Sequence, residues 1–373
     1  MIWIDRQDTL DHALARMAAQ PQLAVDTEAD SLHSYFDKVC LIQMSIPDQD
    51  FIVDPLVRID LAGFGELLAN PAVQKVLHGG DYDLRIMNRD FGFTVCNLID
   101  TSVCAQLLGY EGIGLAALLD RHFGVKLNKT HQRADWSMRP LPQDMLEYAS
   151  TDTHYLIALA AKLREELEAL NRWDWAVEEF TRMESIRFRE ASEEDPDPWR
   201  KMKNIGNLER RSLAIVRDLY AWRDALARKA DRPPFKILGN DSMVEIAKAK
   251  PVTFRDLTQI AAVSRYHSDR YGRELVNIVK KAMEIPEADL PDKNEPKPWI
   301  RDKSLESRIN KLKTVRDRYA KELKIDPAVL GARHILSAIA TAGSLDVPNM
   351  REWQKKVMGE ALLAAIQPEK KLF

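Results

Sequence analysis

Cysteine is scarce: Cys40, Cys96 and Cys104 are the only three in 373 residues. An odd count without metal-ligand spacing excludes a disulfide scaffold and a thiolate metal centre. Their apolar surroundings predict buried, reduced thiols in a cytosolic protein. Long apolar runs are missing too, and none approaches the ~20 residues of a membrane-spanning helix. Met1-Ile-Trp-Ile-Asp-Arg lacks a basic segment followed by an apolar one, so export is not expected and the location reads as cytoplasmic. Gly112-x-Gly114 is too short a signature for a phosphate loop. Nothing indicates a membrane or an obligate protein partner.

Charge is present but segregated. Residues 1–190 hold 18 Lys and Arg against 30 Asp and Glu, whereas residues 199–373 hold 36 against 23. The overall charge of −3 conceals this division. A basic second half suggests polyanion affinity, although Lys and Arg also coat ordinary helical surfaces.

The chain is longer than one core usually supports, so several domains are expected. Asp195-Pro-Asp-Pro198 reads as an acidic hinge, and Pro286 through Pro298 as a second connector. Before the hinge, β-rich runs (1–4, 23–27, 39–46, 51–53, 75–77 and 97–99) alternate with helical stretches near 61–69, 81–91, 101–108 and 114–123. Pro47-Asp-Gln-Asp50 signals a hairpin. An α/β catalytic domain over 1–190, a mixed sheet with flanking helices, follows. After the lead-in at 191–206 the strand signals stop. Helices are expected at 208–230, 241–250, 254–263 and 269–283, with Asn240-Asp241 as an N-cap and Pro233-Pro234 as a rigid turn. This gives one small all-α domain at 207–285, a connector at 286–303 and a second all-α domain at 304–373. The second reads as a fainter copy of the first.

Four carboxylates and one phenol carry the chemistry. Asp26 and Glu28 close the apolar run from Leu23, and positions two apart on a strand share a face. Tyr148 and Asp152, four apart, share a face of the helical stretch beginning near Gln143. Asp83 falls in the first turn of a helix after Gly79-Gly80, where a carboxylate is favoured. Taken singly these patterns are cheap among 57 acidic residues. Taken together, carboxylates from separate elements repel one another unless hard cations lie among them. Two such ions ~4 Å apart can clamp a phosphodiester displacement.

Ala24-Val-Asp-Thr-Glu28, Cys40-Leu-Ile-Gln-Met44, Lys75-Val-Leu-His-Gly-Gly-Asp-Tyr-Asp-Leu84 and Tyr148-Ala-Ser-Thr-Asp152 resemble the motifs of bacterial ribonuclease D, the tyrosine branch of the DEDD 3′→5′ exonucleases. The segment Lys129–Leu141 is also similar to that family. Arg232-Pro-Pro-Phe-Lys-Ile237 resembles the helical domain shared by RecQ-type helicases and ribonuclease D (the HRDC domain). The resemblance implies a ribonuclease-H-like catalytic fold. It implies that Asp26, Glu28, Asp83 and Asp152 hold two divalent cations, Mg²⁺ or Mn²⁺, and that Tyr148 orients the attacking water. The implied substrate is RNA, with tRNA precursors and other structured RNAs bearing 3′ extensions as the class. A DNA exonuclease and an inactive RNA-binding scaffold are the competing functions.

Five further residues are candidate substrate contacts. Tyr35 lies in the loop after Glu28, where it or Phe36 would stack on a base or pack beneath the loop. Gln43 interrupts a buried-strand pattern and would bond backbone or nucleotide. His78 ends an apolar run, where a satisfied core histidine competes with a catalytic one. Lys129 and Arg133 are placed to meet phosphates or to lie on a solvated face.

Overall fold

The computed structural model describes residues 1–127, 130–189, 197–293 and 302–367. Asp195 and Pro196 of the acidic hinge lie outside them, and the second connector from Pro286 through Pro298 is described only to residue 293. The chain divides into two compact units. Unit 1 is Met1–Ala29, Val39–Phe188 and Ile300–Phe373, and unit 2 is Asp30–Lys38 with Arg189–Trp299.

Unit 1 is built on a six-stranded sheet. Its strands are β1 (Ile2–Ile4), β2 (Gln22–Ala29), β3 (Val39–Ile46), β4 (Gln49–Val53), β5 (Gln74–Leu77) and β6 (Leu98–Asp100), in the order β1-β4-β3-β2-β5-β6. β3 runs antiparallel to both β2 and β4, and the remaining pairs are parallel. Every residue of β3 is buried, as expected of a strand covered on both faces.

The alternation of side chains sorts the two faces. Leu23 and Val25 of β2 and Met44 of β3 point to a core closed by α1 (Gln7–Ala18), α2 (Ala62–Ala69) and α3 (Asp81–Phe91). The opposite face carries Ala24, Asp26, Glu28, Leu41, Gln43 and Ser45. It is covered by α4 (Thr101–Leu108), α5 (Leu115–Phe123), α6 (Gln143–His154) and α7 (Leu156–Ala169). α8 (Trp173–Glu184) follows. The sequence reading passed over α1, although Leu10, Ala13 and Met17 bury at helical spacing.

Unit 2 holds α9 (Arg210–Lys229), α10 (Pro234–Ile237), α11 (Asn240–Ala249), α12 (Phe254–Thr258) and α13 (Arg265–Glu284) around one apolar core. Two expectations need correction here. Gly239, not Asn240, is the N-cap of α11, and the Asn240 carboxamide accepts from Arg223 at 2.7 Å instead. At Pro233-Pro234 the expected turn is present as a single helical turn opened by Pro234. The helix expected to reach residue 263 stops at Thr258.

The last module comprises α14 (Lys303–Leu323), α15 (Pro327–Leu330), α16 (Arg333–Ala342) and α17 (Glu352–Ile366). Its buried Leu312, Leu330, Leu336 and Leu362 belong to the same apolar core as Leu107, Leu163 and Phe180 of the α/β region. Trp353 stacks on Trp175, with ring centroids 4.7 Å apart. Glu178 caps α17 by accepting from the Glu352 and Trp353 amides, as the positive end of a helix favours. Buried Arg172 donates to the carbonyls of Leu107 and Leu323. Among the described residues, no helix is long and apolar enough to cross a membrane. Cys40 and Cys104 are buried thiols outside any disulfide. Cys96 is only half-buried, and its Sγ donates to the Ala69 carbonyl.

Candidate active site

Asp26 and Glu28 emerge at the end of β2, paired across to Gln43 and Leu41. α6 is fixed over the same face by Ser45, whose Oγ lies 2.7 Å from Thr153 Oγ1. That contact brings the neighbouring Asp152 to the strand end. Carboxylate oxygens of Asp26, Glu28 and Asp152 lie within 4.8 Å of one another.

Asp83 arrives differently. It belongs to α3, on the other face, and its carboxylate accepts from Thr27, whose side chain points to that face. Thr27 is not among the candidates that the motifs supply. The signal was its position, because the residue between two carboxylates on a strand must face the opposite helices. Asp100 is a second omission. It caps α4 and accepts from the Gly80 amide at 2.8 Å, holding the turn in which Gly79 adopts a φ of +66°.

The carboxylates raise one another's proton affinity. Burial, with Asp83, Asp152 and Glu28 nearby, holds Asp26 well above the ordinary carboxylate range. Burial and then Asp152 and Asp83 push Glu28 up to about 9. Burial lifts Asp152 to about 7, and Asp83 to about 6 against the bonds it accepts. Among the described residues, no basic side chain lowers Asp26, Glu28 or Asp152. An all-oxygen donor set of uncompensated negative charge fits a hard divalent cation and not Zn²⁺, which prefers nitrogen or sulfur. Gln43 is fully enclosed on this face, and neither polar atom of its carboxamide has a hydrogen-bond partner among the described residues.

Tyr148 stands one helical turn before Asp152. Burial first, then Asp152, Glu28 and Asp26, drives its phenol further above its ordinary value, so it is a proton-bearing donor at neutral pH. Gln132 hydrogen-bonds it, and His131 and Trp136 lie 5.9 and 6.0 Å from its ring. Arg139 anchors that segment through a two-pronged ion pair with buried Asp54 (2.6 and 2.7 Å) and a bond to the Cys40 carbonyl. Gln132 was missed because only tertiary packing brings it to the phenol.

The other candidates are scattered. His78 is bonded to Thr101 at 2.9 Å, and burial lowers its pKa. Arg133 is exposed on the segment that packs against Tyr148. Lys129 lies outside the described residues. Tyr35 belongs to unit 2, where it packs on the core around α9 and donates to Asp224 at 2.8 Å.

Residues 1–168 match the family model described as 3′-5′ exonuclease, and residues 212–279 match the HRDC domain. Ribonuclease D of Nitrobacter hamburgensis is 30% identical over 354 residues, covering 94% of this chain and 91% of the relative. RNase D of Escherichia coli, an exoribonuclease involved in structured RNA processing, superposes with a TM-score of 0.70 at 28% identity, covering 98% of both chains. A protein from Bifidobacterium adolescentis superposes with a TM-score of 0.82 at 27% identity, covering 99% of this chain and 97% of that one.

Proposed function

The chain belongs to the ribonuclease D family and is a 3′→5′ exoribonuclease; from that premise we propose that it trims 3′ extensions from precursor tRNAs and other structured RNAs. It acts in the cytoplasm and releases nucleoside 5′-monophosphates. The observation that carries this reading is the meeting of Asp26, Glu28 and Asp152 within 4.8 Å, beside a protonated phenol. The likeness to an exoribonuclease of structured RNA supports the substrate class.

Asp26, Glu28 and Asp152, with Asp83 beside them, would hold two divalent ions, Mg²⁺ or Mn²⁺. Bound there, they supply an activated water at neutral pH and neutralise the charge of the scissile phosphodiester. The protein supplies position. β2 sets Asp26 and Glu28 side by side, while the bonds from Thr27 and Thr153 aim Asp83 and α6. Tyr148 keeps its proton, so it is a poor general base. It donates a hydrogen bond that orients the nucleophile for in-line attack. Arg133 is placed to meet backbone phosphates. Gln43 is enclosed, so it acts on the carboxylate face and not by touching the nucleotide.

The test is hydrolysis of end-labelled RNA and DNA of matched sequence, with Mn²⁺ or with EDTA. Stepwise loss of 3′ nucleotides from RNA with Mn²⁺ alone is expected. Undiminished cleavage in EDTA, or equal cleavage of DNA, would overturn the metal assignment or the RNA assignment respectively.

A further inference from the structure

Phe36 is 55% exposed, about as open as Phe235 and Tyr266 of unit 2, yet the backbone beneath it is held firmly. The Tyr35 and Phe36 amides both donate to the same carboxylate oxygen of Asp231, each at 3.0 Å. Tyr35 anchors the loop through its bond to Asp224, and its ring meets Phe36 nearly edge-on at 4.9 Å. The Arg228 guanidinium lies over both rings, 5.3 and 5.8 Å from their centroids. Tyr35 alone would suffice as an anchor, because it is the ring that packs on the apolar core. Exposing a second ring adds little to folding, since the hydrophobic gain requires burial.

We propose that Phe36, held by Asp231 and Tyr35, is a stacking platform for one unpaired base of the RNA, with Arg228 and Lys236 supplying positive charge for the adjoining phosphates. An aromatic face takes any base, which suits an enzyme that advances along a strand irrespective of sequence. Lys236 belongs to the same surface, with its Nζ 3.3 Å from His33 of this loop. Arg228 and Lys229 close α9, and Arg232 follows in the next turn, so this edge of the module is rich in cations. A cation stacked on a ring also stays available to a phosphate oxygen. In the chain, this loop joins the strand carrying Asp26 and Glu28 to the strand carrying Gln43.

This platform rests on the reading of the chain as an RNA-trimming enzyme, and one experiment separates the two. The full-length protein is titrated in EDTA with short unstructured RNA carrying 2-aminopurine at successive positions from the 3′ end. Anisotropy gives the affinity, and quenching reports stacking. A stacked base contributes ~1–3 kcal/mol, so Phe36→Ala should weaken binding by about 5- to 150-fold. It should also abolish quenching at one position without moving the thermal midpoint. Phe36→Trp should restore both signals, which a merely structural role would not require. Asp231→Ala should weaken binding in the same direction, and adding Phe36→Trp to it should not rescue. A Phe36→Ala protein that binds within about twofold of wild type, with quenching intact, overturns the platform alone. A wild-type protein that neither binds nor trims RNA overturns the functional reading beneath it.

Discussion

In the first helical module Arg223 donates to the Leu238 carbonyl, and in the second Arg316 donates to the Gly331 carbonyl, each 15 residues further along. Around those bonds the two modules share a plan. A long helix leads to a single turn opened by proline, then to a ten-residue helix and a closing helix. Their surfaces are used differently. The first exposes Phe235, 54% open, in its proline turn. The second has Ala328-Val329 there and directs Trp353 and Arg351 to Trp175 and Glu179 of the α/β region. One copy keeps an open cationic and aromatic edge, whereas the other completes the core of unit 1. A repeated scaffold therefore carries no guarantee of a repeated role.

The sharpest way to break the comparison is removal. A chain ending at residue 301 should lose cooperative unfolding of unit 1. Leu312, Leu330, Leu336, Ile339 and Leu362 would go. Each contributes about 1.5–3 kcal/mol, against a total stability of about 5–15 kcal/mol. Circular-dichroism melting checks this, and an unshifted midpoint would show that the last module is dispensable to the core.

Within unit 1, substitutions in the carboxylate cluster should abolish catalysis without unfolding the protein. Asp26→Asn and Asp152→Asn should each cut 5′-monophosphate release more than about a hundredfold while RNA binding persists, because metal-assisted hydrolysis draws several kcal/mol from the site. Tyr148→Phe should lower kcat by about 2.7–4 kcal/mol at unchanged metal affinity, the cost of one positioned donor. Wild-type kcat in the Phe variant would remove Tyr148 from the mechanism.

Trp353→Ala should destabilise unit 1 by about 3–5 kcal/mol in denaturant unfolding, as large aromatic truncations do in cores. A loss below 1 kcal/mol, on the same scale, would mean that the stacked pair is ornamental. The matched guanidinium bonds predict a smaller, equal effect. Arg223→Met and Arg316→Met should each cost about 1–3 kcal/mol by orphaning a buried carbonyl. Unequal losses would argue against a shared scaffold.

The smallest expected effect is on pH dependence. In the folded protein Glu28, Asp152 and Asp83 are raised to about 9, 7 and 6 from ordinary values of 4.5, 3.8 and 3.8. The folded protein therefore binds more protons than the unfolded chain in that window, and stability falls as pH rises from about 4 toward 9. In unit 2 the shifted carboxyls, Asp30 and Asp197, are lowered instead. For Asp30, burial is outweighed by bonds from Lys38 and Ser34, and for Asp197 bonds from Arg200 and Trp199 dominate. Their contribution is already complete above the ordinary carboxylate range. In EDTA, the melting of unit 1 should weaken between pH 5 and 8 while that of unit 2 stays flat. Mn²⁺ should reverse the slope in unit 1 alone, because a cation favours the ionised carboxylates.

Much of this site was legible because its chemistry is local. Strand alternation put Asp26 and Glu28 on one face, and helix periodicity did the same for Tyr148 and Asp152. Alternation also implied a helix opposite Thr27, but not that Asp83 would be the residue waiting there. Helices α7 and α8 went unnamed although α7 buries Leu156, Leu159, Leu163 and Leu167 at helical spacing against α4 and the sheet.

The sequence by itself determined the mixed α/β start with helical modules after it, and its resemblance to ribonuclease D motifs nominated the five side chains of the candidate site. The first follows from residue type and short-range spacing, the second from motifs taken together. Only the tertiary structure decided which faces are covered and by what. It enclosed Gln43, brought Gln132 to Tyr148, drew Tyr35 onto α9 while leaving Phe36 open, and joined α14–α17 to the core of the α/β region. Such choices depend on the apolar area and polar partners that distant segments offer one another, and no local pattern carries that information.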